Sequence, residues 1–398
     1  MRHSKQILHL LFGVLLLSAC KKDNDTAGPN PPNPPNPVPP SVTQADIATI
    51  DAQVQTFLST YNVAGASLAV SKNGKLVYRK GYGFADKETS EKVTADNRFR
   101  LASISKTYTG VAIMKLVQEG KLSLNDKVFG TGAILGTQYG IAPYSANLSN
   151  ITVKNLLHNA GGGWGGSSGG DPIDQNPAMD NNAFLNWVII NKPVAYAPGT
   201  RYDYSNMGFF ILGRIIEKVS GKTYSDYIKQ DIASVINDRA TDTAGAKLTD
   251  RKSNEVKYYG QGTDAPYVYT IALKRRDADG GLMTTASDLL RLVTAIDGSA
   301  TRPDILNATS LASLTTGSGP APLNPGYGLG IGLWGEKWYN YGSLPGTRTG
   351  FMRSSNGNCI ALLLNSRQEN NTFITAMQDL MVSIIDNAAT PWQNIDQF

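Results

Sequence analysis

The chain has 398 residues, with 37 Lys and Arg against 32 Asp and Glu and a formal net charge of +5. At 17% charged and 41% hydrophobic residues it has enough apolar material for a sizeable core, which excludes global disorder. The positive excess contains no basic block, so nucleic acid is not expected as a partner. The three histidines, His3, His9 and His158, exclude a His-rich metal site and confine any Ser-His-Asp triad to His158.

At the N-terminus, Arg2 and Lys5 precede an apolar run over residues 7–17. The run is too short for a bilayer span, which takes about 20 residues. Followed by Leu17-Ser18-Ala19-Cys20, it reads as an export signal. The ending resembles a bacterial lipobox, which makes residues 1–19 a lipoprotein signal peptide and Cys20 the lipidated first residue. An ordinary secretory signal is the plainer alternative. The lipoprotein reading implies an exported protein anchored to a membrane by its N-terminal lipid, periplasmic or on the cell surface. It also leaves Cys359 without a disulfide partner, in an apolar run where a free Cys behaves as a small hydrophobe. Residues 29–40 hold eight Pro and three Asn. They read as an extended tether of ~30–40 Å, at ~3.1 Å per residue.

From residue 41 to 398 one domain is expected, with no second linker. Residues 43–61 carry helical periodicity. Residues 66–70 and 76–82 are β-rich and flank Lys72-Asn73-Gly74, a hairpin turn. Helical patterns follow at 104–119, 153–158, 182–191, 206–219 and 287–296. Strand-like runs return at 328–334, 350–353 and 359–364, and residues 374–385 close the chain as a helix. This order predicts an α/β (α+β) fold. A mainly antiparallel sheet is built from about 41–100 and 300–398 and flanked by helices, with a mostly helical insert between.

Two Ser-x-x-Lys matches exist: Ser18/Lys21, in the signal region, and Ser103/Lys106. The second opens a strongly apolar helix, where a spacing of three puts both side chains on one face. A Ser at a helix start meets unpaired N–H groups that favour an oxyanion, and a Lys one turn on can take its proton. Tyr204-Ser205-Asn206 supplies a phenol able to share a proton with that Lys and an amide able to bind a substrate carbonyl. In Asn340-Tyr341-Gly342-Ser343, Gly342 is expected to let a strand pass close to substrate.

This ordered set resembles the serine β-lactamase and penicillin-binding-protein family, in its branch of class C β-lactamases, D-Ala-D-Ala carboxypeptidases and related esterases. The likeness covers nearly all of residues 45–390. It includes Thr152-Val-Lys-Asn-Leu-Leu-His-Asn159, Ala197-Pro-Gly-Thr200 and Asp279-Gly-Gly-Leu-Met-Thr-Thr-Ala-Ser-Asp288. The resemblance implies Ser103 as acylated nucleophile, Lys106 and Tyr204 as the proton-transfer pair, and Asn206 on the substrate amide. It makes the N–H groups of Ser103 and Ser343 the oxyanion hole. One position departs from the pattern: relatives carry Lys or His where this chain has Asn340. Asn340 donates hydrogen bonds without charge, and Arg348 is the candidate replacement cation for a substrate carboxylate.

The expected function is therefore an exported serine hydrolase that cleaves an amide or ester in a small-molecule or peptide substrate through an acyl-enzyme, without cofactor or metal. It is carboxypeptidase-like or esterase-like, with a class C-like β-lactamase as one alternative. A catalytically silent lipoprotein that binds cell-wall fragments is the other. Gly166-Ser-Ser-Gly-Gly170 matches G-x-S-x-G but lacks a preceding strand and a downstream His. It is read as a mobile loop near the cleft, His158 as structural, and Lys274-Arg275-Arg276 as solvated or locally paired. Tyr258, Tyr259, Tyr267 and Tyr269 are read as packing residues or the lining of an apolar pocket.

Overall fold

The structure, a computed structural model, describes residues 44–398; the signal, Cys20 and the tether lie outside the described residues. Helix α1 (Ala48–Thr60) buries Ile50, Val54, Phe57 and Leu58, the one-sided stripe of an amphipathic helix. Strands β1 (Gly65–Lys72) and β2 (Lys75–Asp86) form the expected hairpin, with Asn73 and Gly74 both at positive φ. The short β3 (Glu91–Lys92) extends it.

The middle of the chain carries α2 (Ser105–Gln118), α3 (Asn181–Asn191), α4 (Asn206–Ser220) and α5 (Ala286–Thr294), joined by long segments whose helical pieces are short, among them the expected Val153–Leu157. Helix α2 is buried on almost every side, its polar first residues Ser105, Lys106, Thr107 and Thr109 included. Helix α4 is capped by Ser205, whose side chain accepts from Gly208 N, and ends at Gly221 with φ 72°.

Strands β4 (Gly332–Trp334), β5 (Lys337–Leu344), β6 (Thr347–Arg353) and β7 (Cys359–Leu364) then precede α6 (Asn371–Ile385). The sheet order is β3-β2-β1-β7-β6-β5-β4, every pair antiparallel. The two chain ends thus share one sheet through β1 and β7, where Ala66 pairs with Leu364. All six residues of β7 are buried, because both sheet faces are covered. Ile360, Leu362 and Leu364 face the core beneath α1 and α6, while Cys359, Ala361 and Leu363 face the core of α2, α4 and α5.

Sequence periodicity missed most of β5, a strand of mixed Lys, Trp, Tyr, Asn and Gly, and overextended β4, which begins at Gly332 and not at 328. A small second sheet also escaped it: Phe99–Arg100, Leu282–Thr284 and Asp242–Thr243 pair in two- and three-residue pieces, too short for any alternation to register.

Candidate active site

Ser103 sits in the 3₁₀ turn Ala102–Ile104, two residues before α2 begins at Ser105 and not inside its first turn. Ala102 is buried and holds φ at 50°. A non-glycine residue in that region costs about 1–3 kcal/mol and persists only where its surroundings impose it. Three groups impose it here. Thr349 Oγ1 donates to Leu101 O at 2.7 Å, Asn340 Nδ2 donates to Ser103 O at 3.3 Å, and β5 packs directly on the turn.

Lys106 is fully buried, and its Nζ has three acceptors: Asn206 Oδ1 at 2.7 Å, Asp279 O at 2.8 Å and Ser103 Oγ at 3.4 Å. The first two can only accept. A neutral amine would satisfy both with its two hydrogens and leave its lone pair toward Ser103. The Asp279 carboxylate lies 4.0 Å from Nζ. Burial pushes the Asp279 carboxyl up, against the pull of Arg276 and then of Lys106.

Asn206 is the first residue of α4. Because its Oδ1 is taken by Lys106, its NH₂ is left for another acceptor. Asp171 fixes this helix end: its carboxylate accepts from the backbone N–H groups of Asn206 and, at 3.3 Å, Met207. Burial, and then the Asp279 charge, push Asp171 up to about 6. Asn159, at φ 53°, supports the segment from behind. Its Oδ1 accepts from Ser205 N at 3.1 Å and its O from Asp203 N at 2.7 Å. The Tyr204 ring lies 4.9 Å from Lys106 Nζ. Its side of the site is open, with Tyr204 37% exposed. Among the described residues no group hydrogen-bonds the Tyr204 hydroxyl.

The third motif departs from expectation. Asn340 is turned inward: its Nδ2 donates to Thr107 Oγ1 at 2.9 Å, Gly330 O at 3.3 Å and Ser103 O, while its Oδ1 accepts from Tyr341 N at 2.8 Å. Gly342 lies against the same turn, since a Cβ there would strike Leu101 O at 2.1 Å. Both residues seat the nucleophile turn. Ser343 pairs with Arg348 across β5 and β6, and its Oγ accepts from Arg367 Nη1 at 2.7 Å. Arg367 is held by Asp264 and Glu369. Arg348 is half-buried with an unpartnered Nε. Burial and then Arg367 lower its pKa.

The glycine-rich run borders the site but is pinned, with Ser167 N donating to Asp203 Oδ1 at 2.9 Å and Ser168 Oγ bonded to the backbone of Gly165. Arg275 and Arg276 are buried and not solvated, and Arg276 takes the alternative of a local pair, with Asp279. Tyr258 is a core residue, donating to Glu255 Oε1 at 3.0 Å. His158 is buried, which pushes it down to about 4 with help from Lys154. Sequence reasoning missed Asp171, Thr107 and the side-chain role of Asp279. Only the Asp279-Gly-Gly segment carried a signal, and it gave no hint that the carboxylate turns toward Lys106.

Known proteins resemble this chain in sequence and in fold. The pattern of the Beta-lactamase family matches residues 50–379. Protein flp of Staphylococcus aureus is 28% identical over 242 residues, which are 60% of this chain and 46% of that protein; the chain therefore spans under half of that relative's length. A beta-lactamase of Pseudomonas fluorescens is 26% identical over 246 residues, 61% of this chain and 63% of that protein. Among solved structures, the octameric penicillin-binding protein homologue from Pyrococcus abyssi superposes with a TM-score of 0.68 at 24% identity, covering 85% of this chain and 77% of that one. D-alanine carboxypeptidase AmpC from Burkholderia cenocepacia gives 0.63 at 20% identity, covering 84% and 98%. At these identities the structural likeness is one of fold.

Proposed function

We propose that this chain, which belongs to the beta-lactamase family, is a serine hydrolase that cleaves an amide or ester through an acyl-enzyme on Ser103. One observation carries the reading: a fully buried Lys106 amine reaches Ser103 Oγ while two carbonyl-type acceptors hold its hydrogens. In this reading Lys106 takes the Ser103 proton, with Tyr204 as its exposed partner for passing a proton to the leaving group. The free Asn206 amide binds the substrate carbonyl side. The N–H groups of Ser103 and Ser343 form the oxyanion hole, and the contact of Gly342 with the nucleophile turn supports that pairing. With Asn340 turned inward, Arg348 is the cation left to meet a substrate carboxylate, which favours a D-Ala-D-Ala carboxypeptidase-like or esterase-like activity over a β-lactamase. A fluorophosphonate should label the protein at Ser103 and leave Ser103→Ala unlabelled; reversible binding without labelling would instead indicate a silent receptor for cell-wall fragments.

We further propose export through residues 1–19 and lipid anchoring at Cys20. The other cysteine, Cys359, supports this assignment: it is buried, and burial pushes its thiol up to about 12, which makes it inert. Cys20→Ala should leave the membrane fraction or remain unprocessed; a variant that stays anchored and processed as before ends the proposal.

A further inference from the structure

The charge environment of Lys106 is more elaborate than the proton-transfer pair requires. Asp279 and Lys106 are both at 0% side-chain exposure, with 4.0 Å between Oδ2 and Nζ. The same Oδ2 accepts from Arg276 Nε at 3.0 Å and Nη2 at 2.8 Å. Arg276 Nη1 continues to Asp174 at 3.0 Å. Asp279 Oδ1 is buried with no partner among the described residues. The other ionisable groups facing this carboxylate are Asp171 and the Tyr224 phenol, and the Tyr204 ring covers Lys106 from the cleft side.

We propose that Asp279 is a positioning residue for Lys106. Its backbone carbonyl aims the amine, and its carboxylate stabilises the ammonium that forms during acylation. The inference rests on the serine-hydrolase reading. In that step the Ser103 O–H bond breaks and a Lys106 N–H bond forms. Oγ bonds the substrate carbonyl carbon, whose π pair moves to the carbonyl oxygen. The ammonium later returns the proton as the bond to the leaving amine or alcohol breaks and the carbonyl re-forms. A positive charge is thus created inside the protein, next to a fully buried carboxylate. Arg276 moderates the effect by sharing that carboxylate, so the negative charge assists without trapping the proton on Lys106.

The test is the pH dependence of Ser103 labelling by a fluorophosphonate, which reads the ionisation of the attacking pair and needs no knowledge of the natural substrate. Asp279→Asn keeps the backbone carbonyl and removes the charge. Deprotonation then becomes easier, and the acid limb of the labelling rate should move down by about one pH unit or more, the size expected for an opposite charge within about 4–6 Å. Arg276→Gln exposes Lys106 to the full Asp279 charge and should move the limb up. Opposite shifts support the inference, and an upward shift in Arg276→Gln alone suffices if Asp279→Asn does not fold. Profiles that superimpose on the wild type, or move in one direction for both variants, overturn it. Failure of the wild-type protein to label at Ser103 removes the hydrolase reading and this inference with it.

Discussion

Gly342 and Ala102 occupy a space with room for a single Cβ. A Cβ built on Gly342 would lie 2.1 Å from Leu101 O and 3.0 Å from the Ala102 Cβ. Ala102 is already held at φ 50°, so the turn has no relaxed position to retreat to. Gly342→Ala should therefore cost at least about 2–3 kcal/mol, at the upper end of overpacking penalties, and abolish Ser103 labelling. Urea denaturation and labelling measured together check this. A variant of normal stability and normal labelling would mean that β5 does not press on the nucleophile turn.

Asn340 gives the second prediction. Its amide donates to Ser103 O, Thr107 Oγ1 and Gly330 O. Asn340→Ala removes all three donations, and although Gly330 O keeps the Thr107 hydroxyl at 2.9 Å, the loss should cost about 1–3 kcal/mol. Asn340→Asp should be worse, because it aims a carboxylate at the same oxygens. A positioning role lowers stability and kcat together. A rise in KM at unchanged stability would return Asn340 to substrate binding.

How much of this was legible beforehand differs from residue to residue. Ser103, Lys106, Tyr204 and Asn206 stood out because their spacing is local: three residues along one chain segment, and a triplet at a helix start. The structure brings Ser103, Lys106 and Asn206 into direct contact, with Tyr204 over the amine. β7 was readable in full because burial on both faces makes it uniformly apolar. Asn340 and Gly342 were legible as strand residues near the site, but a sequence does not show that they press on the nucleophile turn. Arg276 is paired locally with Asp279, one of the two alternatives its charge run offered, whereas the burial of Arg275 was not legible because its partners lie about a hundred residues away. Asp174 and the carbonyls of residues 173–179 come from one distant segment, while Asp279 is three residues on from Arg276.

Asp171 makes stability depend on pH. Its carboxyl is pushed up to about 6, above the ordinary value of about 3.9. The folded state therefore holds this proton more tightly than the unfolded chain does. The stability Asp171 contributes is fully present below about pH 4 and is lost as pH rises through about 6. Asp171→Asn cannot titrate. The stability of wild type relative to this variant should fall by up to about 3 kcal/mol between pH 4 and 7, at about 1.4 kcal/mol for each pH unit separating the folded and unfolded values. Urea unfolding of both proteins across that range measures it. A difference independent of pH would show that Asp171 titrates normally.

Arg275 is the prediction that reaches furthest from the nucleophile. Its guanidinium donates to four backbone carbonyls: Ile173 at 3.3 Å, Gln175 at 2.5 Å, Asn176 at 2.6 Å and Met179 at 2.9 Å. It also lies 3.8 Å from the Phe184 ring centroid on α3. Residues 171–180 have no helix or strand of their own, so this one side chain replaces the ladder that regular structure would supply. The planar fork is what allows four carbonyls to be met at once, and a Lys, a point charge with three donors, cannot reproduce it. Arg275→Lys should therefore behave much like Arg275→Met, each losing at least about 2–3 kcal/mol of local stability as buried carbonyls go unpaired. The loss should be confined to the segment. Hydrogen exchange should accelerate in peptides covering 171–180 and stay unchanged in β1 and β7, which are held by the central sheet. Asp171 belongs to the same segment and caps α4 at Asn206, so Ser103 labelling should slow while the global urea midpoint moves little. Unchanged exchange across 171–180 in both variants would show that the segment is held by something other than Arg275.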